Sequence, residues 1–378
     1  MGTGFSKKVP GHHGAGRGAA RVVWVWFAWA WCLPLVFAAV IAGAQVPPDI
    51  AAQNRALGLR IDVPSAIKTY TPVEEQPPYP ASEAKITRDV AYGDNPRYRL
   101  DVFAPPTPSA HLRPVVIFAT GGDFTRKIDL PGGAPFYDNV VLWAAKHGLI
   151  GVNTDRRPLR GGRWEYGPQD MAAMIGWVHA HIAQYGGDPG QIVFLGHAYG
   201  STQLMSYLAH PQYWCCGGPG IVAATMISAP LNLQPATSPP RPPPGAGARA
   251  GRGSGAAPGP GQQREGAPAV GVTGRAPRAR GPNPLFDPHH SDLSGLKNVT
   301  IPIFIGAAQF EGAQQKQSEQ VLQQRLCAMG HCPTFKEFTD HNHLSIMFSF
   351  NTPDASVSGP ILNWIRMVTH TQSNVAPN

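Results

Sequence analysis

The amino-acid sequence predicts an α/β protein with a mainly parallel β-sheet and helices on both faces. Three observations support this prediction. From about Ala84 onward, short apolar runs alternate with segments of helical periodicity, which is the pattern of repeated β-α-β units. Some of these runs, such as Val115 to Ala119, are continuously apolar, as strands buried on both faces are. Another run, Ile192 to Leu195, leads through a glycine-framed turn into a helix-like segment.

The first half of this pattern contains four expected strands and three expected helices. Gly148 and Gly186 follow two of the helices, and glycine readily ends a helix. Pro168 suits the first turn of its helix, because the N–H group that proline lacks has no intrahelical partner there. We expect strands at Tyr98 to Phe103, Val115 to Ala119, Leu149 to Asn153 and Ile192 to Leu195, and helices at Val140 to His147, Pro168 to Ile182 and Gly200 to Ala209.

The second half resumes the alternation after an interruption. Residues 232–284 contain repeated proline and glycine, seven arginines and almost no apolar side chains. Such a segment cannot bury enough surface to offset the entropy cost of ordering, so we expect a disordered insertion. The remaining expected elements are strands at Val222 to Ser228, Ile301 to Gly306 and Thr334 to Phe338, a glutamine-rich helix ending at Met329, and a closing helix from Pro353 to Val368.

The positive charge of the chain lies outside the predicted domain. Its 378 residues have a formal net charge of +8. Residues 1–48 contribute four of these charges and residues 235–284 contribute six, so the remainder carries about −2. The body of the protein is therefore not basic, and the sequence argues against nucleic acid as a partner.

Residues 1–44 have the organisation of an export signal. A positively charged start precedes the apolar run Val22 to Ala42, and the segment Ala42 to Ala44 (Ala-Gly-Ala) fits a cleavage site. The apolar run is nearly long enough to span a bilayer, so an uncleaved membrane anchor is the alternative. Both interpretations place the protein outside the cytoplasm, and a cleaved signal makes it secreted or periplasmic. Residues 45–84, rich in proline and alanine, are expected to form a strap before the main domain at 85–372.

Four cysteines lie outside the signal segment, and an even number in an exported chain permits disulfides. Cys327 and Cys332 are the favoured pair, because a bridge between the adjacent Cys215 and Cys216 would be strained. A zinc site is disfavoured, because the sequence lacks two Cys-x-x-Cys units.

The turn after Ile192 to Leu195 has the sequence Gly-His-Ala-Tyr-Gly and runs from Gly196 to Gly200. Small residues at both ends allow the pinched backbone of a sharp strand-to-helix turn. The sequence is Gly-x-Ser-x-Gly with Ala198 at the position of the serine. In turns of this kind the serine attacks the carbonyl carbon of an ester. The frame of the turn is therefore present, and the nucleophile is absent.

From about Ala84 to His370 the chain resembles the α/β-hydrolase fold, in particular carboxylesterases related to hormone-sensitive lipase. Thr120 to Phe124 is similar to the His-Gly-Gly-Gly-Trp oxyanion loop, with Thr for His and Asp for the third Gly. Tyr185 to Gln191 is similar to the Phe-Gly-Gly-Asp-Pro segment that precedes the nucleophile strand. The turn from Gly196 to Gly200 corresponds to the nucleophile elbow of this family. Glu311 and the segment Asp340 to Leu344 come after this elbow, at the positions where the family has its acid and its histidine. The insertion lies in the lid region of the family.

The resemblance implies a role for each of these residues. His343 is the candidate base, and Glu311 is the acid that orients it. The backbone N–H groups of Gly121, Gly122 and Tyr199 are the candidate donors to an oxyanion. No cofactor is implied.

Three alternatives to these assignments stay open. Asp340 and Asp354 compete with Glu311 as the acid, and His341 competes with His343 as the base. A metal bound by Asp340, His341 and His343 is disfavoured, because side chains of this segment alternate between two faces if the segment is extended. Ser201 is one helical turn beyond the elbow and lacks the glycine frame that a nucleophile needs.

Ala198 cannot be acylated, so the predicted function is an ester-hydrolase scaffold that is impaired or inactive as written. Three interpretations stay open: a natural non-catalytic protein that retains a ligand pocket, an engineered form of an active esterase, or slow hydrolysis by water that His343 activates. The expected partner is a small ester or acyl ligand, and a protein partner is the alternative. The sequence indicates no oligomeric state.

Overall fold

Eight strands form one sheet in this computed structural model, which describes residues 45–122, 126–127, 136–157, 163–231 and 292–373. The strands are β1 (Lys85–Ala91), β2 (Arg99–Ala104), β3 (Arg113–Ala119), β4 (Ile150–Thr154), β5 (Gly187–His197), β6 (Ala223–Ile227), β7 (Ile303–Phe310) and β8 (Thr334–Asn342). Their order across the sheet is β1-β2-β4-β3-β5-β6-β7-β8. β1 and β2 pair antiparallel with each other, as do β2 and β4, and all other neighbours are parallel. The predicted mainly parallel sheet is confirmed.

The helices that accompany the sheet are α1 (Pro48–Leu57), α2 (Val63–Tyr70), α3 (Asp138–Lys146), α4 (Tyr166–His181), α5 (Tyr199–Ala209), α6 (Ala313–Ala328), α7 (Ser345–Phe348) and α8 (Ser358–Ser373). Two buried clusters of apolar side chains lie between helices and sheet. Along β3, Val115 and Ile117 belong to one cluster, whereas Val116 and Phe118 belong to the other. Successive side chains of a strand point to opposite faces, so the sheet is covered on both sides, as its continuously apolar strands predict.

The sequence did not predict β1. Its side chains alternate between exposed and half-buried positions, and it lies at the edge of the sheet, paired with β2. A strand of this kind lacks the continuous apolar run that marks the central strands. Charged residues such as Arg88 and Asp89 are typical of edge strands.

The closing helix was placed incorrectly in the sequence prediction. It begins at Ser358 rather than at Pro353, and the short α7 precedes it. Asp354 ends the preceding segment with a local turn, because its carboxylate accepts the N–H of Ser356 at 2.9 Å. Side-chain bonds of this kind compete with helix formation. β8 also continues past Phe338 to Asn342.

The segment 45–84 contains α1 and α2 and contacts the end of β8. Asn54 of α1 is fully buried, and its amide donates to the Asp340 carbonyl and to the Tyr70 hydroxyl, both at 3.0 Å. The expected signal or anchor at 1–44 and the expected insertion at 232–284 lie outside the described residues. Within the residues that are described, no helix has the length and apolar character needed to cross a bilayer.

Candidate active site

The elbow lies between β5 and α5, at the carboxyl edge of the sheet. Ala198 has φ 49° and ψ −118°, a conformation that residues with a side chain rarely adopt and that costs about 1–3 kcal/mol. A Cβ on Gly200 would lie 2.2 Å from the Ala119 carbonyl oxygen, and one on Gly196 would lie 2.7 Å from the Ser201 nitrogen. Both glycines are therefore required by close backbone contacts, and the strained turn persists without a serine.

Ser201 does not occupy the missing position. Its hydroxyl is fully buried and donates to the Gly196 carbonyl at 2.7 Å. The same oxygen accepts the N–H of Ile227 at 3.0 Å, so Ser201 ties β5 to β6. It faces the backbone between these strands, and the structure gives no support to its acting as a nucleophile.

The described part of the predicted oxyanion loop, Thr120 to Gly122, follows β3 and lies against the elbow. A Cβ on Gly121 would lie 2.7 Å from the Cβ of Ala198, so only glycine fits at this position. Gly122 has φ 59°, which glycine adopts without strain. Both glycines line the same cavity as Ala198 and Tyr199.

Arg156, just after β4, is hydrogen-bonded to the oxyanion loop. Its guanidinium donates to the carbonyl oxygens of Thr120 and Gly122 and to the side-chain oxygen of Gln203 on α5. In a trans peptide the C=O and N–H groups point in opposite directions. Because the Thr120 carbonyl points to Arg156, the Gly121 N–H points away from it, as an oxyanion donor requires. Sequence reasoning missed this residue, since its partners are 34 to 47 positions away.

His343 and Glu311 meet beside the elbow. Glu311 follows β7 and His343 follows β8, and His343 Nδ1 lies 3.2 Å from Glu311 Oε1. The Glu311 side chain is 1% exposed, and that of His343 is 13% exposed. The contact engages Nδ1, so Nε2 is the ring nitrogen available to the cavity that His343 lines.

The alternatives to these two residues have other contacts. Asp340 accepts from Arg55 at 2.6 Å on the surface. Asp354 lies 3.5 Å from His341 Nε2, and His341 is fully buried between Ser345 and Ser356. Of the acidic residues considered, only Glu311 contacts His343. Among the described residues no three His, Cys, Asp or Glu side chains are grouped to hold a metal ion.

His197 orients the backbone at His343, a role that the sequence did not indicate. Its Nε2 lies 2.8 Å from the carbonyl oxygen of His343, so Nε2–H must donate. Burial lowers the pKa of His197 well below its usual value, and the nearby His343 lowers it further. The ring is therefore neutral and serves as a fixed donor to the backbone of the candidate base.

A second buried carboxyl group lies near Glu311. Glu319 of α6 is fully buried, and burial, followed by the charge of Glu311, raises its pKa to about 9. At neutral pH Glu319 is therefore protonated, which avoids a second negative charge near that of Glu311. The sequence did not predict this burial, because Glu319 lies in a glutamine-rich, polar helix.

The cavity above the elbow has a volume of about 540 Å³, within the usual range for small-molecule sites. Its wall combines apolar side chains with the predicted site residues. It is lined by Ile61, Gly121, Gly122, Tyr137, His197, Ala198, Tyr199, Pro230, Gln315, His343 and Leu344. The structure thus brings the elbow, the oxyanion loop and the candidate base to one cavity.

Comparison with known proteins finds esterases among those that this chain resembles. No family model matches the chain. It is 33% identical over 118 residues to a probable isoprenylcysteine alpha-carbonyl methylesterase of Arabidopsis thaliana, which covers 31% of this chain and 26% of that protein. It is 33% identical over 138 residues to the para-nitrobenzyl esterase of Bacillus subtilis, which covers 32% of this chain and 27% of that protein. The chain therefore spans only about a quarter of the length of these relatives.

Solved structures are similar to this chain over a larger share of its length than the relatives found by sequence. Esterase B of Lactobacillus rhamnosis has a TM-score of 0.55 and 13% identity, covering 85% of this chain and 96% of that one. The esterase of Pyrobaculum calidifontis also has a TM-score of 0.55, with 14% identity, covering 87% and 99%. At such identities the likeness shows the fold, which is that of α/β-hydrolase esterases.

Proposed function

We propose that this chain, an α/β-hydrolase related to carboxylesterases, binds a small carboxylic ester or its acyl acid without forming an acyl-enzyme. One observation carries the proposal: Ala198 has the backbone conformation of the nucleophile and lines an open cavity, but presents a methyl group. Acyl transfer needs an oxygen or sulfur nucleophile at this position. Removing it from a triad costs a factor on the order of a million in turnover.

The remaining parts suit recognition of a carbonyl group. The Gly121 N–H points away from Arg156, and Tyr199 begins α5, so both are placed to donate to a carbonyl or carboxylate oxygen. Ile61 and Leu344 supply apolar walls for an acyl or aryl group. A strained residue persists only where its surroundings impose it. The strain at Ala198 therefore supports the inference that the cavity it lines still has a function.

A second candidate function is slow hydrolysis by water. The contact between His343 and Glu311 favours it, because this pair is what a general base needs to take a proton from water. Such turnover would not produce a covalent intermediate. It would be lost in His343→Ala and would leave the chain unlabelled by a fluorophosphonate.

The binding test uses two exposed apolar residues as a matched pair. Ile61 lines the cavity and is 62% exposed, whereas Leu59 is 65% exposed and does not line it. Thermal unfolding of the full chain is measured with a series of short alkyl and aryl esters and their acids. We expect at least one of them to raise the unfolding temperature, an effect weakened by Ile61→Asp and retained in Leu59→Asp. No stabilisation by any of the series, or equal loss in both variants, would contradict binding in this cavity.

We further propose that the chain is exported through residues 1–44. The organisation of that segment supports export, and so does the disulfide between Cys327 and Cys332, since such bonds persist in oxidising compartments. Amino-terminal sequencing of protein recovered outside the cytoplasm tests this. A start at Gln45 indicates a cleaved signal, and an intact amino terminus in the membrane fraction indicates an anchor. Recovery of the protein from the cytoplasm alone would contradict export.

A further inference from the structure

We propose that Cys215 and Cys216 form a redox-active vicinal dithiol, which closes into a disulfide by exchange with a low-molecular-weight disulfide. The two residues lie between α5 and β6, away from the cavity. Their sulfur atoms are 2.9 Å apart, within about 1 Å of the disulfide bond length of about 2.05 Å. Cys216 is exposed, so an oxidant from solution can reach the pair.

The backbone of the pair already has an unusual conformation. Adjacent Cα atoms are about 3.8 Å apart, which is shorter than the usual span of a disulfide. A bridge between neighbours therefore requires a distorted backbone. Cys216 has φ 64°, a left-handed conformation that is uncommon for residues with a side chain, and Gly217 follows with φ 74°. The reduced protein thus already contains backbone strain at the residue that would close the ring.

Cys215 is held in place by the end of α5. Its N–H donates to the Tyr207 hydroxyl at 3.2 Å, and that hydroxyl donates to the Pro219 carbonyl at 3.1 Å. The Trp214 indole donates to the Tyr207 carbonyl at 3.0 Å. These bonds on both sides of the pair limit the movement of the thiols, and ordered thiols lose less freedom when they close a ring.

The exchange balances with a small disulfide as the only other reactant. The Cys216 sulfur, as a thiolate, attacks one sulfur of the oxidant, forms a mixed disulfide and releases the first small thiolate. The Cys215 thiolate then attacks the Cys216 sulfur and releases the second small thiolate. The two protons lost by the cysteines go to the two leaving groups, and two electrons pass from the protein to the oxidant.

The rate should depend on pH in a defined direction. Partial desolvation of its sulfur, followed by the contact with Cys215, raises the pKa of Cys216 to about 12. Only the thiolate attacks, and its fraction increases about tenfold per pH unit below the pKa. We therefore expect the oxidation to accelerate from pH 7 to pH 9.

The experiment separates this pair from all other cysteines. Cleavage after lysine and arginine, except before proline, leaves Cys215 and Cys216 alone in the peptide of residues 164–249, and Cys327 with Cys332 in residues 326–336. The full chain is reduced, desalted, exposed to oxidised glutathione, blocked with iodoacetamide and digested. We expect peptide 164–249 to be two hydrogens lighter than its reduced form and free of glutathione. Cys215→Ser, which removes the thiol that resolves the mixed disulfide, should instead retain one glutathione on the exposed Cys216.

Two outcomes would overturn the proposal. One is a stable glutathione adduct on the unaltered peptide, which would mean that the second thiol cannot reach the first. The other is recovery of both thiols in alkylated form at pH 9, which would mean that the pair does not exchange.

Discussion

At the scale of single residues, the site is defined by contacts that leave no room for other side chains. Gly121 and Ala198 show this most directly, because a methyl group on the first would collide with the methyl group of the second at 2.7 Å. This contact involves no ligand. The geometry of the elbow can therefore be tested by stability measurements alone.

A double-mutant cycle tests this contact. We expect Gly121→Ala to lower the free energy of unfolding by about 1–3 kcal/mol, the usual cost of overpacking. In the background of Ala198→Gly the colliding methyl is gone, so the cost should fall by about 1 kcal/mol or more. Part of it should persist, because the added methyl would also lie 3.3 Å from His197 Nδ1. Denaturant unfolding of the four proteins measures the coupling, and strictly additive costs would contradict the contact.

Most residues of the candidate site could be predicted from the sequence. The others could not, because their roles depend on contacts between distant parts of the chain. Short segments predicted the elbow at Ala198 and the glycines of the loop, because their chemistry depends on local spacing, and the resemblance to carboxylesterases implied the roles of Glu311 and His343. Arg156 and Glu319 were not predicted. Their roles arise from burial against distant parts of the chain, and their sequence neighbours give no sign of it.

At the scale of elements, α1 positions the loop that carries His343. Asn54 is buried and donates to the Asp340 carbonyl, whereas Arg55 contacts the Asp340 carboxylate at the surface. The two neighbours thus reach the same residue, one buried and one exposed. Exposed ion pairs contribute little, and buried hydrogen bonds are costly to remove.

The pair provides a matched test of this support. We expect Asn54→Leu to lower the free energy of unfolding by about 1–3 kcal/mol, because it removes a buried donor from the Asp340 carbonyl and the Tyr70 hydroxyl. Arg55→Ala should cost less than about 1 kcal/mol. Hydrogen exchange of residues 340–344 should accelerate in the first variant only. Similar behaviour of the two variants would indicate that α1 does not hold this loop.

At the scale of the whole molecule, the parallel sheet and its two apolar faces were predictable, because continuous apolar runs encode central strands. The edge strand β1 and the start of the closing helix were not. Charged edge residues and the side-chain bond of Asp354 act against the patterns on which sequence prediction depends. Charge burial has a further consequence at this scale, since it couples folding to pH.

Glu319 gives this coupling a direction. Its pKa in the folded protein is about 9, above the value of about 4.3 expected in the unfolded chain. Between these values the folded state binds more protons, so the contribution of Glu319 to stability falls as pH rises. Glu319→Gln removes this proton uptake. We expect its stability relative to the unaltered chain to increase from pH 5 to pH 9 in denaturant unfolding, and a difference independent of pH would contradict the buried, protonated state.

We infer that the site is complete except for its nucleophile, and the hydrolysis of nitrophenyl acetate by Ala198→Ser tests this most directly. Serine adds one oxygen to alanine, so the fold should be unaffected. We predict turnover several powers of ten above that of the unaltered chain, labelling by a fluorophosphonate, and loss of turnover when His343→Ala is added. A folded Ala198→Ser protein with neither turnover nor labelling would show that the site lacks more than its nucleophile.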